Sequence, residues 1–170
     1  MSRTIFITIL QFILISLAQI LLLNNIQLFG YMQPLIYIWF IILLPNSFPK
    51  WIVMILGFLM GFTMDVFSAQ LGFHTATATL TATIKPMMLS WFVNNFDNNT
   101  FRPSIAEMGF LSFLGFTSSI VFLHTTIYIL IESFSFAEIL NLLLRILISS
   151  LISIGLILIS DALFIKERKD

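Results

Sequence analysis

Residues 4–23 read TIFITILQFILISLAQILLL, a run with no charged side chain and about the length a helix needs to cross the hydrocarbon core of a bilayer. Runs of the same character follow it, separated by short polar breaks. As a result 59% of the chain is hydrophobic, only 9% is charged, nineteen positions are Phe and the mean hydropathy is +1.04. That is far from the mixture of a soluble globular domain and implies an all-α, polytopic transmembrane helix bundle. A chain of 170 residues has room for about six crossings and short connections, with no soluble domain of ordinary size added.

The breaks place the crossings at about residues 4–23, 31–44, 51–67, 73–93, 108–131 and 139–165, within one integral membrane domain over 1–170. A cleaved leader is the competing reading of the first run, because Arg3 precedes it and Ser16-Leu17-Ala18 resembles a small-x-small cleavage site. The run continues through Leu21, Leu22 and Leu23, which favours a retained span. The second run is short for a crossing even with Tyr31 and Met32 included. Two prolines end it in Pro45-Asn46-Ser47-Phe48-Pro49-Lys50, and Trp51 stands where an interfacial anchor belongs. Pro86 predicts a kink near Ala82 in the fourth span. The longest polar connection, Asn94 to Glu107, precedes the fifth.

With six crossings and a cytoplasmic N-terminus, Arg3, Lys50, Arg102, Lys166, Arg168 and Lys169 all fall on the cytoplasmic side, as the distribution of basic residues in membrane proteins requires. The external links carry Asn24, Asn25, Gln70, Glu132 and Glu138 instead. Both termini are therefore expected in the cytoplasm. Eight basic residues balance eight acidic ones and none cluster before the tail, so nucleic-acid binding is set aside. The chain has no cysteine, hence no thiolate chemistry.

One stretch, Gly57 to Pro86, GFLMGFTMDVFSAQLGFHTATATLTATIKP, reads as the packing hub. In lipid, helices gain little by burying apolar surface against one another, and small residues such as Gly57 and Gly61 at i, i+4 let their backbones approach instead. Asp65 follows one turn later, Leu71-Gly72 makes a tight turn, and Thr75, Thr79 and Thr83 with Ala78 and Ala82 make a close-packed helix face. Small residues also recur at Ser112, Gly115, Ser118 and Ser119, and at Ser149, Ser150 and Ser153, as ordinary contact faces. An unpaired charge at membrane depth is expensive, so the ionisable residues are expected to pair. Counting residues along the spans gives two layers: an outer one in which Asp65 is neutralised by Arg145 or through His124, with His74 near the surface, and an inner one pairing Lys85 with Asp161; the alternatives are that Asp65 caps or pins helices together and that Lys85 reaches the cytoplasmic boundary with no partner. Two histidines with no third partner are poor evidence for a metal site. No zincin or nucleotide-loop motif is present, no carboxylate pair converges with a nucleophile, and neither enzyme activity nor a cofactor is expected.

Gly57-x3-Gly61-x3-Asp65, followed by Leu71-Gly72 and an Ala/Thr-rich helix, resembles the core segment of the bacterial rod shape-determining protein MreD family, and the chain length, hydropathy and short basic tail are similar throughout. The resemblance implies a fold like the substrate-binding subunits of energy-coupling-factor vitamin transporters. It also implies a non-catalytic inner-membrane subunit of the cell-elongation machinery that inserts lateral-wall peptidoglycan. The implied partner is MreC, with MreB filaments and the peptidoglycan synthases engaged indirectly, and Gly57, Gly61, Asp65, Leu71 and Gly72 are the matched positions. Gln70 departs from a turn often rich in glycine or serine in the family, and Lys85 and Arg145 match no family position. Whether two copies form a homodimer is left open. A vitamin-capturing transporter subunit is the alternative, and it requires an outward pocket near His74, His124 and Arg145.

Overall fold

A computed structural model describes residues 2–23, 34–70, 72–93, 101–133 and 139–167. All of the secondary structure among them is helical: α1 (Ser2–Ala18), continued by a widened π turn at Gln19–Leu23, α2 (Ile38–Leu43), α3 (Lys50–Ser68), α4 (Phe73–Leu89), α5 (Ile105–Met108), α6 (Phe110–Ser133) and α7 (Ile139–Glu167). Among the described residues, four segments are long and apolar enough to cross a membrane: Arg3–Leu23, Lys50–Ser68, Phe110–Ser133 and Ile139–Leu163. Their outer faces keep large apolar side chains exposed, among them Phe6 and Ile9 on α1, Phe62 and Val66 on α3 and Leu151 on α7. A water-soluble protein would bury these; a lipid-facing one has no reason to.

The second expected crossing is corrected. In place of a spanning helix over 31–44, its described part is an extended entry at Pro34 and Leu35 leading to α2, only six residues long and about 9 Å at the usual rise per residue. Residues 31–33 lie outside the described residues. Leu35 and every residue from Tyr37 to Leu44 are buried, so α2 touches protein on all sides. The backbone leading into it is satisfied by side chains. The Gln19 Nε2 donates to the Pro34 carbonyl (3.0 Å), and its Oε1 accepts the amides of Ile36 (2.8 Å) and Tyr37 (3.3 Å). The Leu35 amide donates to the Ser153 hydroxyl of α7 (2.9 Å). Non-helical backbone at membrane depth is tolerable only when protein groups replace water in this way.

The α3–α4 hairpin flanks this buried segment, and its turn forms where the Leu71-Gly72 signal falls. Ala69 ends α3 with φ 52°, its amide and that of Gln70 both returning to the Asp65 carbonyl, and Gly72 opens α4 with φ 91°. Left-handed backbone is glycine's territory; Ala69 adopts it because the carbonyls at the end of α3 need donors. Leu71 lies outside the described residues. Helix α4 ends at Leu89 rather than 93 and carries Pro86 inside it.

At the opposite end, residues 101–109 fold back onto the bundle. Phe101, Pro103 and Ser104 are buried, Ser104 caps α5 and Gly109, at φ 75°, separates α5 from α6. The fifth crossing therefore starts at Phe110 rather than Met108.

Candidate functional site

Helices α3 and α4 meet where side chains are missing. A Cβ on Gly61 would stand 2.5 Å from the His74 carbonyl oxygen and 2.6 Å from the Thr75 Cα; one on Gly57 would stand 2.5 Å from the Ala82 Cβ and 3.0 Å from the Ala78 oxygen. Moving from Gly57 to Gly61 moves the contact from Ala82 back to His74, so the helices run antiparallel with backbones almost touching. Both glycines act as the spacing rule anticipates.

Asp65, on the next turn of α3, serves the same contact. Its carboxylate accepts the amides of His74 (3.0 Å) and Thr75 (2.8 Å) in the first turn of α4 and the Thr75 hydroxyl as well. A helix N-terminus has free amides and a partial positive charge, and a carboxylate satisfies both. The charge is thus neutralised by helix α4 itself, which corrects the expected pairing with Arg145 or through His124. Arg145 instead pairs with Glu132 at 2.6 Å, and both of these side chains are partly exposed. The inner pair is corrected too. Lys85 donates to the Leu44 carbonyl at the end of α2 (2.5 Å), and Asp161 accepts the Ile105 amide at the start of α5 (2.8 Å). Counting depth along spans overlooked that helix ends and broken helices offer backbone partners.

Between α2, α4 and α6 lies a polar cluster that sequence reasoning did not assemble. The Tyr37 hydroxyl sits between His74 Nδ1 (2.9 Å) and His124 Nε2 (2.6 Å), and His124 Nδ1 meets the Thr81 hydroxyl (2.9 Å). Tyr37, Thr81 and His124 are fully buried and His74 is 4% exposed. Tyr128 stacks on His74, ring centroids 4.5 Å apart, and its hydroxyl meets the Gln70 side chain at 3.1 Å. The available signal was the polar stripe His74, Thr77, Thr81, Lys85, at i, i+3, i+7, i+11 and buried throughout. The threonine row read from the sequence, Thr75, Thr79 and Thr83, turns out to be the outer edge of α4. It lines an open groove of about 590 Å³ with Met54, Phe58 and Phe62 of α3. His74 and His124, expected to flank an outward pocket if the chain captured a vitamin, are packed against one another's partners.

Chemically the arrangement ties helices together. The carboxylates of Asp65 and Asp161 are occupied by backbone amides, and among the described residues no three His, Asp, Glu or Cys side chains are grouped to hold a metal ion. No family model, curated protein or solved structure matches this chain.

Proposed function

We propose that this chain is a non-catalytic scaffold subunit of the bacterial cell-elongation complex, embedded in the inner membrane and holding the transmembrane helix of MreC beside the peptidoglycan synthases. The observation that carries this reading is the construction of the Gly57-Gly61-Asp65 motif. Its glycines press two backbones together and its acid is consumed in fastening α4 to α3, so the motif yields a rigid hairpin and no reactive group. The outer face of that hairpin supports it further. Ala76, Thr79 and Thr83 leave a shallow trough beside Phe58 and Phe62, a shape that accepts the bulky side chains of one passing helix.

Co-expression with tagged MreC and recovery from membranes tests the proposal. MreC should co-purify with the unaltered chain, and Ala76→Trp, which fills the trough from an exposed position, should reduce recovery at least tenfold while leaving the amount of folded chain unchanged. Undiminished recovery would move the contact elsewhere. A tightly held small organic molecule in the purified protein, or association with a transporter ATPase module, would overturn the scaffold reading itself.

A further inference from the structure

The hydrogen bonds around Tyr37 form a chain in which each proton has one consistent place. Thr81 donates to the Thr77 carbonyl (2.8 Å), the same bond that Thr77, Thr79 and Thr83 each make one turn back along α4. A hydroxyl has a single proton, so Thr81 can only accept from His124, and His124 must carry its proton on Nδ1. Its Nε2 is then bare and accepts from the Tyr37 hydroxyl. Tyr37 in turn can only accept from His74, whose proton is therefore also on Nδ1. The reverse order would forfeit the bond from Thr81 to Thr77 and leave the His74 Nε2–H with no acceptor among the described residues. The forward order makes one hydrogen bond more and leaves a lone pair instead.

That lone pair is on His74 Nε2, the one ring nitrogen of the four that makes no hydrogen bond. We propose that His74 Nε2 is a proton-binding site, at the end of the bundle that carries the α3–α4 turn, and that His124 is held neutral by the chain. A proton added at His74 Nε2 breaks nothing, since Nδ1–H continues to donate to Tyr37. A proton added at His124 Nε2 would face the Tyr37 O–H and force it off its only acceptor. Two neighbours offset part of what a charge on the buried His74 ring costs, and His124, more deeply buried, has neither. From α3, the Asp65 carboxylate holds the backbone amide of His74; from α6, the Tyr128 ring lies flat against the imidazole. Facing it from the other packed elements are Tyr37, ahead of α2, and His124 of α6. Further along, Glu132 of α6 and Arg145 of α7 compensate each other. A cationic His74 therefore adds its charge to the α4 N-terminus that the Asp65 carboxylate already holds, and protonation tightens the contact between the end of α3 and the start of α4. The proposal goes beyond the scaffold reading and does not depend on it.

Nitrogen NMR of the full chain, labelled at histidine with ¹⁵N and held in detergent micelles, tests this. Near neutral pH both imidazoles should show a protonated Nδ1 and a bare Nε2. On acidification one of them should become doubly protonated while the other stays neutral, and the titrating signal should be missing from His74→Gln. Should that variant fail to fold, His124→Gln makes the same assignment by leaving only the titrating signal. A protonated Nε2 on either neutral histidine, His124 gaining its proton first, or unfolding before His74 gains one would each overturn the proposal.

Discussion

Helix α4 is held on two sides by opposite means. Against α3 the contact is made by removing atoms: Gly57 and Gly61 bring backbone to within van der Waals reach. Against α2 and α6 it is made by adding polar atoms: Tyr37, His74, His124 and Thr81 join three elements through hydrogen bonds in the interior. Both solve the same problem, that apolar surface alone gives helices little reason to leave lipid for one another. They differ in how they fail. A close backbone contact has no slack, whereas a hydrogen-bonded one loses only the bonds removed.

The largest expected effect is therefore at Gly61. Leucine there drives a side chain into the His74 carbonyl and the Thr75 backbone, atoms that cannot swing aside, and should cost about 3 kcal/mol or more, read as loss of monodisperse protein after extraction and a lower thermal midpoint. Gly57 sharpens the point because its nearest obstacle is a side-chain atom, the Ala82 Cβ. Gly57→Ala alone should destabilise, and adding Ala82→Gly should recover part of the loss, leaving the strain against the Ala78 oxygen. If the two changes are additive, the helices are not in contact through those atoms.

Asp65 comes next, since it fastens the same contact by charge. Asp65→Asn keeps the shape but loses the negative charge and one acceptor oxygen, leaving a first-turn amide or the Thr75 hydroxyl unpaired; about 2 kcal/mol should be lost in thermal unfolding. On the polar side of α4, Tyr37→Phe removes one hydroxyl and strands a donor and an acceptor, at a cost of about 1–2 kcal/mol with the fold retained. If Tyr37→Phe proves more damaging than Gly61→Leu, the order of importance of the two sides is reversed.

Those two sides were not equally legible. The glycine contact follows from a spacing rule that depends on one helix alone, so GxxxG with Asp65 a turn later pointed to it directly. The polar junction depends on where three distant segments come together, and its central residue, Tyr37, sits in a run whose hydropathy is the same whether lipid or protein surrounds it. For the same reason the Pro34–Leu44 stretch read as a crossing. Its burial rests on Gln19 and Ser153, polar residues in other spans whose task becomes visible only when they meet unpaired backbone. The charges misled in a related way. Asp65, Lys85 and Asp161 were each matched to an opposite charge at similar depth, but every one of them bonds a backbone group at a helix end that is equally in need of a partner.

Arg145 tests that last distinction, and it should give the smallest effect. Its partner Glu132 is one quarter exposed and it is itself 30% exposed, so the pair sits at the rim, where ion pairs are screened and side-chain freedom is lost in making them. Arg145→Ala should cost about 0.2–1 kcal/mol, and Glu132→Gln about the same, with the double substitution scarcely worse than either. Were Arg145 the residue that neutralises Asp65, its removal would strand a buried carboxylate and cost several-fold more, approaching the loss at Asp65 itself. A thermal midpoint for Arg145→Ala close to that of the unaltered protein, beside a clear loss for Asp65→Asn, separates a charge held by a helix end from one held by a distant cation.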